Sequence, residues 1–128
     1  MKLQGHVALI TGANQGLGAQ IAAAFAREGA HLLLCARGEP MLRGTAAGLA
    51  RTALPGQQIL AEPADVTSEP DVDRVVARAV ETFGRVDILV NCAGTAGPRG
   101  ALDELDWEAW KDAIQVNLMG TVYPTRAV

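Results

Sequence analysis

Aromatic side chains are scarce: Phe25, Phe83, Trp107, Trp110 and Tyr123 are the only ones in 128 residues. Cysteine and lysine are scarcer still, two of each, and no apolar run approaches the roughly 18 residues of a membrane span. Each shortage removes a class of protein. Cys35 and Cys92 lie too far apart in sequence for a Cys-x-x-Cys metal site, and two thiols do not make the framework of a disulfide-built secreted domain. They read as reduced thiols, and no metal site is expected. Eleven Lys and Arg against 14 Asp and Glu give a net charge of −3. No basic cluster is present to neutralise phosphates, so nucleic acid is not an expected partner. The opening stretch from Met1 to His6 is too polar for a secretory signal, and a cytoplasmic protein without a membrane partner is expected.

Small residues are abundant instead. The chain holds 23 alanines and 14 glycines, and 49% of its residues are hydrophobic. Such a composition is not that of a disordered chain, and it calls for closely packed elements. The length suits one domain, which at this size buries about two-thirds of its extended surface.

Two periodicities alternate along the chain. His6 to Thr11 and His31 to Ala36 are continuous apolar runs of strand length, the pattern of strands buried on both faces. Gln58 to Ala61 reads as a weaker strand and Val86 to Asn91 as a fourth. Helices are predicted between them, over Leu17 to Glu28, over Met41 to Leu54, and through an apolar face of Val72, Val75, Val76, Ala79, Val80 and Phe83. Ser68 and Asp71 resemble a capping box at the start of that third helix, and Gly84 closes it. A last helical stretch runs from about Asp106 onward. In it Asn117, Gly120 and Pro124 predict irregularity, and Trp107, Trp110 and Ile114 read as packing anchors. Strand starts near residues 6, 31, 58 and 86 leave room for one helix in each interval. That spacing fits right-handed βα units and a doubly wound parallel α/β sheet.

The first strand runs directly into Thr11-Gly12-Ala13-Asn14-Gln15-Gly16-Leu17-Gly18, and a helix opens at the end of this loop. Residues without a Cβ permit positive φ and a close approach of backbone to ligand. The N–H groups and dipole of the helix start then favour a pyrophosphate. The spacing is GxxxGxG rather than GxGxxG, but the strand-loop-helix context is that of a dinucleotide site. The second strand ends Cys35-Ala36-Arg37, with no acid before Glu39. An acid there would bind the ribose 2′-hydroxyl, whereas an arginine accommodates a 2′-phosphate. Arg37 therefore favours NADP over NAD.

The glycine loop, Asp65-Val66 after the third strand, Asn91-Cys92-Ala93-Gly94 after the fourth, and Gln115-Val116-Asn117-Leu118-Met119-Gly120 occur in order. Together they resemble the classical short-chain dehydrogenase/reductase family, over essentially all 128 residues. The resemblance implies a Rossmann-like sheet, here incomplete, with four strands ordered 3-2-1-4. It implies cofactor contacts from Gly12, Asn14, Gln15, Gly16, Leu17, Gly18 and Arg37. It also implies that Asp65 meets the adenine amino group, that Val66 packs near the ring, and that Asn91, Ala93 and Gly94 line the nicotinamide side. Asn117 matches the family's helix-kink asparagine, which holds a water in the proton relay. The family usually carries Asn-Asn-Ala-Gly, so Cys92 is a departure, read as a small packing residue without a redox role.

The family's chemistry is hydride transfer between a nicotinamide and a carbonyl or alcohol. It uses a Tyr-x-x-x-Lys pair and a serine, and the ammonium one helical turn away favours the phenolate. Tyr123 is the only tyrosine, Ala127 stands four residues later, and the lysines are Lys2 and Lys111. Residues 1–128 are thus expected to be a partial NAD(P)-binding domain, the N-terminal half of such an oxidoreductase. The complete form is expected to be a homodimer or homotetramer acting on a small carbonyl or alcohol substrate. The alternative is a non-catalytic nucleotide-binding or interaction protein that uses this half alone. The apolar fourth strand, left at an open sheet edge, favours the first expectation.

Overall fold

Apolar runs become the sheet, and their burial decides their order in it. The computed structural model describes residues 1–128. Strand β1 (Val7–Thr11) is buried along its whole length, and β2 (His31–Ala36) is buried after its first residue. These two form the centre. Strands β3 (Ile59–Pro63) and β4 (Ile88–Val90) are half-buried throughout and take the edges. The order is β3-β2-β1-β4, and every pairing is parallel. The expected topology is the observed one.

Helices cover both faces. Ala8 and Ile10 of β1 join Leu32 and Leu34 of β2, Ala22 and Ala26 of α1 (Gly16–Arg27), and Leu42 and Ala46 of α2 (Glu39–Ala50). Leu9, Leu33 and Cys35 point the other way, against Val75 and Ala79 of α3 (Glu69–Phe83). The alternation is the period-two geometry of a strand, and the interfacial alanines let the helices approach the sheet closely. Each fully buried Leu or Ile contributes about 1.5–3 kcal/mol relative to exposure.

Local chemistry sets the element ends. The Ser68 hydroxyl accepts the Asp71 N–H at 3.3 Å, and Gly84 ends α3 in the left-handed region at φ 80°. The box is not reciprocal, however. The Asp71 carboxylate turns to the preceding loop, where it accepts the Asp65 N–H at 2.9 Å and an N–H of Arg74 at 2.8 Å. These two donors hold its carboxyl below the usual range, with the Asp65 N–H the larger cause. Asp87 behaves similarly: its carboxylate accepts the Val7 N–H at 2.8 Å and a guanidinium N–H of Arg85 at 2.7 Å. Both lower its pKa, the Val7 bond more, and the first of them ties the approach to β4 onto β1. Gln57, which no sequence signal marks, closes the end of α1 from a distance. Its amide donates to the carbonyls of Ala26 and Ala30 at 2.9 and 2.7 Å.

The last helical stretch is irregular, as Asn117, Gly120 and Pro124 predict. It divides into α4 (Trp107–Ile114), a π-helical turn at Gln115–Met119, and α5 (Gly120–Ala127). Asp106 caps α4 by accepting the N–H groups of Glu108 and Ala109. Just after the turn, a Cβ on Gly120 would stand 2.6 Å from a methyl of Val66. Close seating there is possible only for glycine. Trp107 and Trp110 are not buried anchors. Their rings stack on each other with centroids 5.0 Å apart, and Trp107 remains 55% exposed. Ile114, Leu118 and Val122 are exposed as well. No helix is long and apolar enough to cross a membrane.

Candidate cofactor site

A cleft of about 360 Å³ opens at the carboxyl ends of the four strands. Open α/β sheets bind ligands at this end, where the strand order reverses between β1 and β4. Its floor depends on Thr11, the last residue of β1. Thr11 is only 2% exposed, and its hydroxyl accepts the N–H groups of both Cys92 and Ala93 at 3.1 Å. One oxygen of a buried residue thereby fixes the chain leaving β4 against the end of β1.

The glycines follow from that contact. Gly12 has φ 61°, and a Cβ on it would lie 2.7 Å from the Ala93 Cα and N. Added to Gly18, a Cβ would collide with the Gly12 carbonyl oxygen. The first turn of α1 is therefore pressed onto the loop that precedes it. No side chain caps α1, and its first turn carries no acid. Helix starts of this kind present unsatisfied N–H groups and a positive dipole end to an anion.

Ten of the twelve expected cofactor residues line this cleft: Gly12, Asn14, Gln15, Leu17, Gly18, Arg37, Asp65, Val66, Ala93 and Gly94. Arg37 is the only cation among the lining residues and takes part in none of the six ion pairs in the chain. The nearest acid in sequence, Glu39, is bound instead by Arg43 at 2.9 Å. Asp65, the only acid on the lining, has one oxygen held by the Thr67 N–H and hydroxyl at 2.9 and 2.7 Å. Gly16 stays outside the cleft, with φ 57° and open space where a Cβ would be. Asn91 also stays outside, donating to the Thr125 hydroxyl on α5 at 3.2 Å.

Asn117 lies behind the cleft, inside the π-helical turn. Its amide oxygen accepts the Thr95 N–H and its amide nitrogen donates to the Thr95 carbonyl, both at 2.8 Å. The pair clamps the segment that follows Gly94, whose Cβ position is 3.2 Å from the same amide oxygen. Sequence reading missed Thr11, Cys92 and Val116, as well as the wall residues Ala36, Gly38 and Ala64. Thr11, Cys92 and Val116 stand inside the recognised motifs and the other three flank them or Arg37; that placement was the available signal.

The two thiols differ in kind. Cys35 is buried, and loss of solvation pushes its pKa up to about 12. Cys92 is partly exposed and lines the cleft. A thiolate is the reactive species, so a maleimide or iodoacetamide should label Cys92 in the folded protein and leave Cys35 unmodified. Peptide mass spectrometry reads the outcome; rapid Cys35 labelling under native conditions would contradict the burial.

The family model for short chain dehydrogenase matches residues 6–128. The chain is 39% identical to an uncharacterized oxidoreductase of Staphylococcus saprophyticus, over 100% of its own length and 53% of the relative. Among solved structures, actinorhodin polyketide ketoreductase with NADPH is similar at TM-score 0.87 and 41% identity, covering 95% of this chain and 45% of that one. L-Sorbose reductase from Gluconobacter frateurii, complexed with NADPH and L-sorbose, is similar at TM-score 0.91 and 38% identity, with coverage of 100% and 48%. The chain spans about half the length of the curated relatives it matches. With the glycine loop, the strand order and the cleft all in agreement with that match, this chain belongs to the short chain dehydrogenase family.

Proposed function

We propose that residues 1–128 form the cofactor-binding half of an NADP(H)-dependent oxidoreductase domain acting on a small carbonyl or alcohol substrate. The observation that carries the cofactor choice is Arg37: a cation without an ion pair at the end of β2, beside a cleft with no acid at that end. In this reading the N-terminus of α1 and the glycine loop hold the pyrophosphate, and Arg37 holds the 2′-phosphate. Asp65 and Val66 receive the adenine, and Ala93 and Gly94 border the nicotinamide. Asn91 and Asn117 act from outside the cleft, Asn117 by fixing the Thr95 backbone. The bound nicotinamide would exchange a hydride with the substrate's carbon. The two relatives solved with NADPH support the choice.

Residues 1–128 contain no Tyr-x-x-x-Lys, and we assign them no turnover on their own. The exposed stripe of Trp107, Ile114, Leu118 and Val122 supports assembly of the complete domain as a homodimer or homotetramer. The test is calorimetric titration of the chain with NADP⁺ and NAD⁺, beside a carbonyl reduction assay. Arg37→Asp is expected to reduce the preference for NADP⁺ by about 10- to 100-fold, the worth of a charge-assisted contact. An unchanged preference would refute the role of Arg37, and hydride transfer by residues 1–128 would refute the division of labour.

A further inference from the structure

Asn14 joins two turns that sequence places apart. Its carbonyl accepts the hydroxyl of Thr45 on α2 at 2.9 Å. Its side-chain amide has one partner, the Met41 thioether sulfur at 3.8 Å, which is a weak acceptor. The same amide nitrogen stands 3.6 Å from the Cβ position of Gly38, next to Arg37. Met41 and Thr45 are one helical turn apart and so share a face of α2. An under-used donor thus lines the same cleft as the unpaired cation, with Thr45 bonded to its backbone and Met41 to its amide.

We propose that Thr45, which does not line the cleft, is a positioning residue for recognition of the 2′-phosphate, acting through Asn14. A phosphate monoester is a far stronger acceptor than a thioether, so the Asn14 amide becomes a second donor beside the Arg37 guanidinium. The Thr45 hydroxyl fixes the Asn14 peptide, and with it the direction in which that amide can reach. Asparagine has rotatable side-chain torsions, and an anchored backbone with a Met41 backstop reduces the ordering cost on binding. The inference rests on the NADP reading above.

The experiment measures dissociation constants of the chain for adenosine 2′,5′-bisphosphate and for 5′-AMP, two probes that differ only in the 2′-phosphate. Thr45→Val keeps the shape and removes the hydroxyl; it should lower the ratio of the two affinities about fivefold, the worth of one hydrogen bond. Thr45→Ser should restore it. Asn14→Ala should lower the ratio too, and Thr45→Val added to Asn14→Ala should change it no further. If the wild-type chain shows no preference for the 2′-phosphate, the cofactor reading falls and this inference with it. If the preference is present and Thr45→Val preserves it, or weakens both probes equally, the inference alone is overturned. Should Thr45→Val fail to fold, equal ratios for the wild type and Asn14→Ala would overturn it as well.

Discussion

Gly12→Ala is expected to cost about 3–4 kcal/mol of stability, the sum of a left-handed backbone penalty and an unrelieved collision, and to abolish dinucleotide binding. The penalty follows from φ 61°; the collision follows from the 2.7 Å separation between the added Cβ and the Ala93 backbone. A side chain in that place would rotate away, but Ala93 is backbone and is held by the Thr11 hydroxyl. The floor cannot retreat without breaking that bond. Gly16→Ala provides the control, since Gly16 has nearly the same φ, 57°, and nothing within 4 Å. It should cost only the backbone penalty, about 1–2 kcal/mol. Urea denaturation of the two variants, with NADP⁺ titration, separates the contributions. Equal losses at positions 12 and 16 would show that the contact with Ala93 carries no energy.

The same comparison shows what was readable in the residues. Glycine announces positive φ and close approach because no other residue offers them, so the loop from Gly12 to Gly18 was visible in the residues alone. The two central strands were visible because burial on both faces demands unbroken apolar runs. Sequence could not separate the glycines by what each one does. Gly12 and Gly18 are required by contact, whereas Gly16 is required by backbone conformation alone. Asn117, Gly120 and Pro124 signalled an irregular helix, but its form, a π-helical turn at Gln115–Met119, was hidden for another reason. A one-residue slip in hydrogen bonding leaves the apolar spacing nearly intact, and the Asn117 clamp on Thr95 joins residues far apart in sequence. Trp107 and Trp110 misled because spacing reveals a shared face and cannot say whether that face is covered.

Thr11 is the strongest case of a residue whose role lay outside its pattern, and Thr11→Val should show it. At the end of a strand a threonine is merely another β-branched residue. In the fold its hydroxyl is the shared acceptor for two N–H groups, those of Cys92 and Ala93. Valine preserves the volume and the β-branch, so neither packing nor strand propensity changes appreciably. What disappears is the acceptor, and two partly buried donors lose their partner together. At about 1–3 kcal/mol for each unsatisfied donor, with partial relief from water on the cleft side, the loss should be about 2–4 kcal/mol. Thr11→Ser keeps the oxygen and loses one methyl, so it should cost about 1 kcal/mol or less. Hydrogen exchange gives the sharper readout: the Cys92 and Ala93 amides should lose protection in Thr11→Val and retain it in Thr11→Ser. Binding should follow the same order, because the Gly12 turn rests on the backbone that Thr11 holds. A valine variant as stable as the serine variant would mean that the cleft floor is set by β4 pairing alone, with Thr11 contributing only its bulk.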